Sequence, residues 1–194
     1  MKSLANRPWL QTYTGRAWCA DDPRAYEYDI EEIAHALSHI CRYSGHCKDF
    51  YSVAQHSVVV CKILQALHPH QPKHLYRAGL LHDAAEAYCL DVPSPIKRMS
   101  MMTGYRKWIH GVEDAIGDHF SLGRHPHVPW WIKDADLRAL ATEKRDVLGK
   151  SPYDKMWLET VLGGLPPPSA KVIKPMSPKQ AKRLFMRMWE RISE

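Results

Sequence analysis

Apolar residues recur along most of this chain at helical spacing, not strand spacing. Ile30, Ile33, Ala34, Leu37, Ile40 and Cys41 form one stripe with the three-and-four spacing of an amphipathic helix. Asp29 stands where that helix opens, with Glu32 three residues on in a capping-box arrangement, and Gly45 is placed to stop it. The run "YSVAQHSVVVCKILQALH" predicts a second helix over 51–68. A third is expected from Pro72, a residue favoured in a first turn, through Tyr88, where the proline-rich "DVPSPIKR" loop breaks it. Ile109, Val112, Ile116 and Phe120 mark a fourth over 102–120, and a fifth fits 129–148. After the break "GGLPPPS", the cleanest stripe of the chain is Ala181, Leu184, Phe185, Met188, Trp189 and Ile192, a docking helix over 177–193. The first 28 residues read as irregular, with a possible hairpin around "QTYTGRAWC". The expected fold class is therefore all-α, a compact helical bundle in a single domain over 1–194.

Composition narrows this picture. A chain of 194 residues that is 45% hydrophobic can bury one substantial core. No apolar run approaches the ~20 residues that span a bilayer. The start "MKSLANRPWLQTYTG" lacks the apolar segment of a secretory signal. A cytoplasmic protein with no membrane partner is expected. The five cysteines are scattered without a C-x-x-C pair, which suits reduced, packed thiols. Net charge is +6, and residues 171–194 alone carry seven Lys/Arg against two Asp/Glu. Such a balance suits an anionic partner. The tail's stripe makes it a packing element with its charges on the outer face, so a small anionic substrate is expected rather than nucleic acid.

The chemistry concentrates in "AGLLHDAAEAYCLDVPSPIKR". An apolar helix there carries His82, Asp83 and Glu86, with Asp91 just past its end. Burying such groups without partners is costly, so something inside the protein should need them. His82 and Glu86 are four apart, Asp83 and Glu86 three apart, and those spacings make neighbours on a helix surface. Adjacent His82 and Asp83 diverge on a helix, yet both can reach a site at its edge. His56 lies in the apolar "VAQHSVVV", and Asp136 lies in "WIKDADLRALATE". Imidazoles with carboxylates form a ligand set for Mn, Fe, Co, Ni, Zn or Mg. His35 and His39 are four apart on the first helix without a zincin glutamate between them, and His125 and His127 read as loop residues.

The order His56, His82-Asp83, Asp136, each on its own predicted helix, resembles the HD-domain phosphohydrolase superfamily. "YSVAQHS", "LLHDAAEAYCLDVPSPIKR" and "DADLRALATEKRD" are similar to its small bacterial and phage branch, which holds 5'-deoxynucleotidases and dATP triphosphohydrolases. "DIEEIAHALSHICRYSGH" resembles the first helix of the same group, and the motif core spans 29–150. The resemblance implies that His56, His82, Asp83 and Asp136 hold one divalent metal. It further implies that Glu86 and Asp91 act in water activation or bind a second ion. It also implies a homo-oligomer, dimer or hexamer. A nucleotide substrate needs cations on its phosphates, for which Arg42, Lys97 and Arg98 are placed near the end of the first helix and in the loop after the His-Asp pair. Tyr43 is the candidate for packing against sugar or base. The expected activity is metal-dependent hydrolysis of purine deoxynucleotides, dATP first, with 5'-deoxynucleotidase action on monophosphates as the alternative. A nucleotide- or nucleic-acid-binding accessory protein without turnover is the non-enzymatic one.

Overall fold

The hairpin expected near the N-terminus forms from β1 (Trp9–Gln11) and β2 (Ala17–Cys19), paired antiparallel with Leu10 opposite Trp18. It belongs to a computed structural model that describes residues 4–123, 129–163 and 169–194, so His125, His127 and most of the "GGLPPPS" break lie outside the described residues. The hairpin is fixed to α1 (Ile30–His39) through Glu32. That carboxylate is buried and accepts from Thr12 Oγ1 at 2.6 Å, from Thr14 and from Tyr26 at 2.8 Å, with Arg16 at 3.2 Å. Glu32 is therefore a hairpin anchor rather than half of a capping box. Asp29 does cap the helix, accepting from Glu31 N at 2.7 Å.

The rest of the described chain is mainly helical, in keeping with the all-α expectation. α1 stops at His39, not at Gly45, because Ile40 turns extended and its carbonyl accepts from Val53 N at 3.1 Å. Arg42 N in turn donates to Tyr51 O at 2.9 Å, so residues 42–51 form a loop closed by backbone bonds. α2 (Val53–Leu67) is capped by Ser52, whose hydroxyl accepts from Gln55 N at 3.2 Å. There follow α3 (Lys73–Leu80), α4 (Glu86–Cys89), α5 (Ser94–Lys97), α6 (Thr103–His119), α7 (Trp130–Glu143), a π turn at Lys144–Leu148, α8 (Asp154–Leu162) and α9 (Pro178–Ser193). α5 and α8 are absent from the sequence reading. α5 is one turn inside the proline-rich loop, and α8 buries only Leu162, so neither carries a readable stripe.

The core gathers Ile33, Leu37, Val58, Leu64, Leu80, Ile116 and Ile132 around α2, with Trp18 of the hairpin at one side. α9 lies across α1, α2 and α3 and closes the bundle with Ala181, Phe185, Met188 and Ile192. Phe185 is wholly buried. Phe185→Ala should cost about 3–5 kcal/mol, read as a lower urea midpoint at unchanged slope. A loss under about 1 kcal/mol would show that α9 is not integral to the core. No helix among the described residues is long and apolar enough to cross a membrane.

Candidate metal centre

Three stretches of chain meet between α2, the α3–α4 corner and α7. His56 on α2 is fully buried. α7 lies close along α2 because Ala135 and Ala139, both fully buried, present only methyl groups there. Asp136 and Glu143 are seven residues apart on α7, two turns, so they share the face turned to α2.

The corner corrects the expected helix from Pro72 to Tyr88. α3 ends at Leu80, Leu81 leaves the helical region at φ −101° and ψ 10°, and α4 restarts only at Glu86. A continuous helix would splay His82 and Asp83 apart. The turn instead brings His82 Nε2 to 3.2 Å from Asp83 Oδ2. Gly79 helps build the corner, since a Cβ there would lie 2.7 Å from Leu64 Cδ2 of α2. Its carbonyl accepts from His82 Nδ1 at 2.9 Å, which leaves Nε2 free to act as a ligand.

One ligand atom each from His56, His82 and Asp83 lies within 4.8 Å of the others, so these three residues could hold a metal ion. The two Nε2 atoms are 3.3 Å apart, and His56 Nε2 is 3.5 Å from Asp83 Oδ2. Asp136 touches this set through His56 alone, Oδ1 standing 3.4 Å from Nε2, while Lys133 holds its other oxygen at 2.7 Å. The charges favour a cation. Burial works against the ionised forms of Asp83 and Asp136, yet the neighbouring imidazoles hold both carboxyls below the ordinary range. Burial and Arg42 push His56 down, but Glu143 and Asp136 outweigh them and raise it to about 9. The set thus asks for positive charge among its ligand atoms, supplied by protons or by a metal.

Glu143 is the residue the sequence reading missed. It is fully buried, and its Oε1 sits 2.6 Å from His56 Nδ1 and accepts from Tyr51 OH at 2.9 Å. Its Oε2 accepts from Tyr43 OH at 2.5 Å and pairs with Arg42 Nε at 3.3 Å. Burial would raise this carboxyl, but Arg42 and His56 lower it to about 2. An ionised Glu143 fixes the Nδ1–H tautomer of His56 and aims Nε2 at the ligand cluster. A signal was present: Glu143 lies two turns after Asp136 in the same "DADLRALATE" run.

The expected phosphate contacts divide. Arg42 is brought to the centre, with Nη1 3.6 Å from Asp83 Oδ2 and little of its side chain exposed. Tyr43, expected against sugar or base, instead turns its hydroxyl to Glu143 and its ring beneath the Arg42 guanidinium, 5.3 Å away. It does so from a left-handed backbone, φ 56°, a strain of about 1–3 kcal/mol that the loop closure at Arg42 and Tyr51 must sustain. Lys97 is held by Glu86 Oε1 at 3.2 Å, and Arg98 is exposed. Glu86 itself is buried, and its Oε2 has no hydrogen-bond partner among the described residues. Burial, then the charges of Asp83 and Asp91, raise its carboxyl well above the usual range. Asp91 is half-buried and also raised, chiefly by burial.

No family model matches the chain. It is 34% identical over 186 residues to a protein of Escherichia coli (strain K12) described as "Uncharacterized protein YfdR", covering 96% of each. It is 36% identical over 149 residues to "Uncharacterized protein RCAP_rcc00048" of Rhodobacter capsulatus, covering 75% of this chain and 76% of that one. Neither description names an activity.

Proposed function

We propose that this chain, which belongs to the family of the Escherichia coli protein YfdR, is a metal-dependent nucleotide phosphohydrolase of the HD-domain type. The observation that carries this reading is the convergence of His56, His82 and Asp83 within 4.8 Å, with Asp136 against His56. The donor set suits a divalent ion, and the ionised carboxylates around two imidazoles supply the charge it needs. His56, His82, Asp83 and Asp136 would hold it. A bound divalent ion lowers the pKa of water and polarises a phosphoryl oxygen.

The chain's own groups define the rest. Glu86 Oε2, buried and unpartnered, is the oxygen available to take a proton from attacking water. Lys97 on the other oxygen orients that carboxylate. Arg42, with Nη1 3.6 Å from Asp83 Oδ2, is the cation this centre offers to a phosphate. Hydrolysis adds the water oxygen to phosphorus and breaks the bond to the leaving oxygen, which takes a proton. The preference for a purine deoxynucleotide, dATP first, rests on the resemblance, since the Tyr43 hydroxyl is engaged by Glu143.

The test is a phosphate-release panel over all (d)NMPs, (d)NDPs and (d)NTPs with Mn, Co and Mg. With dATP, deoxyadenosine should appear with triphosphate or its stepwise products. Release of phosphate from dAMP alone would replace this reading by a 5'-deoxynucleotidase. Nucleotide binding without turnover under every metal would leave an accessory binding protein. Within this reading, Glu86→Gln should retain metal affinity and lose 10²-fold or more in kcat, on the order of a lost general base. Unchanged kcat would make Glu86 a structural carboxylate.

A further inference from the structure

A second charged feature is built from residues outside the metal-ligating set and its carboxylate partners. Between α1 and α9 lies a groove of about 580 Å³. Lys179, Arg183 and Arg187 line it from α9, each four residues from the next and all exposed. On an α-helix that interval places successive side chains about 6 Å apart along the axis. The three therefore form one ridge of positive charge that turns by about 40° around the helix at each step. Among the described residues none of the three has an ion-pair partner, and Glu190 is the one acidic residue in the lining.

The opposite wall is ordered. Lys182 pairs with Glu31 at 2.8 Å and stands 4.3 Å over the ring of Tyr13, the hairpin residue that reaches α1. Tyr13 stacks on His35 with ring centroids 3.7 Å apart, and His39 lies 4.3 Å beyond His35. The fourth cation, Lys182, is thus used to hold the wall, while the row of three is left without counterions among the described residues. The sequence reading gave these charges an outer face in open solvent. The structure sets them along a groove.

Unpaired cations repeating along one helix ridge repel one another and gain most from a ligand whose anions also repeat along an extended chain. A compact anion meets one or two of them at a time, whereas an extended phosphodiester backbone meets all three. Tyr13 already stacks on His35 and carries Lys182 over its ring, so the row of cations, not a free aromatic face, is what this groove offers, which suits backbone and not base. We propose that the groove between α1 and α9 binds the backbone of single-stranded nucleic acid, without sequence preference, along the row Lys179, Arg183 and Arg187. The proposal does not depend on the metal centre.

The test uses a fluorescent twelve-nucleotide oligothymidylate and the full chain, with anisotropy followed from 50 to 200 mM salt. Three phosphate contacts on a single strand predict a log–log slope of about −2, a fall of about 20-fold across that range. The variant K179A/R183A/R187A should lose at least tenfold in affinity at the lowest salt and nearly all of the slope. Its helical circular dichroism and any metal-dependent hydrolysis should be unchanged, since the three side chains are exposed. Asp83→Ala should bind the oligonucleotide as the parent does. Binding by the triple variant equal to the parent's would overturn the proposal, as would loss of binding in Asp83→Ala. Displacement of the strand by inorganic triphosphate at equal phosphate concentration would overturn it too, by showing a compact-anion site.

Discussion

Asp83→Ala is expected to abolish both metal binding and turnover while leaving the helical fold in place. Asp83 Oδ2 stands 3.2 Å from His82 Nε2 and 3.5 Å from His56 Nε2, so its loss removes the carboxylate that joins the two imidazoles. The fold should survive. The residue sits at a helix break and its side chain is part-exposed, and Arg42 keeps Glu143 as its partner at 3.3 Å. The cleanest readout is thermal. A ligand at 100 times its Kd stabilises the folded state by about 2.7 kcal/mol. For a chain of this size each kcal/mol moves Tm by about 2–4 °C. The parent should therefore gain roughly 5–11 °C on saturation with its preferred metal. Asp83→Ala should gain nothing. A variant that keeps the metal-induced shift and full phosphate release would remove Asp83 from the centre.

What the sequence revealed and what it hid follow from the same physics. The stripes of α1, α6 and α9 were legible because each of these helices buries one face and exposes the other. The corner at residues 81–85 was not, because Leu81, Ala84 and Ala85 continue the apolar pattern of the flanking helices and no glycine or proline within it marks the break. The helix ends there so that His82 and Asp83 can face one point, a demand of the site that local propensity does not encode. Glu32 was read as a cap from a local pattern, but its partners Thr12, Thr14 and Tyr26 come from a hairpin that docks on it. The pair His82-Asp83 and His56 were legible as chemistry because ionisable groups in apolar surroundings need a reason. Glu143 looked like any helix-end glutamate. Its burial depends on Arg42, Tyr43 and Tyr51, contributed by a loop about a hundred residues earlier.

Glu143→Gln is expected to weaken metal affinity by about 10–100-fold without touching a metal ligand. The carboxylate fixes His56 as the Nδ1–H tautomer through a 2.6 Å contact and is the nearest counter-charge to Arg42. A neutral amide can still accept from one donor, but it no longer stabilises positive charge on the imidazole or the guanidinium. His56 then becomes a poorer, less well-aimed ligand. Metal titration by calorimetry or by the spectrum of bound Co²⁺ reads this directly, independent of turnover. Glu143→Leu should be far worse. It leaves the Arg42 guanidinium buried beside apolar atoms, and removing one partner of a buried pair costs about 3–5 kcal/mol. It also orphans the hydroxyls of Tyr43 and Tyr51. That variant should be unfolded or nearly so at ambient temperature, whereas Glu143→Gln should keep its circular dichroism. The order Glu143, then Gln, then Leu in stability, with a metal-affinity loss already complete at Gln, is the signature of a positioning carboxylate. If Glu143→Gln binds metal as tightly as the parent and shows an unaltered Co²⁺ spectrum, Glu143 serves only to neutralise Arg42, and His56 is oriented by α2 and α7 packing alone.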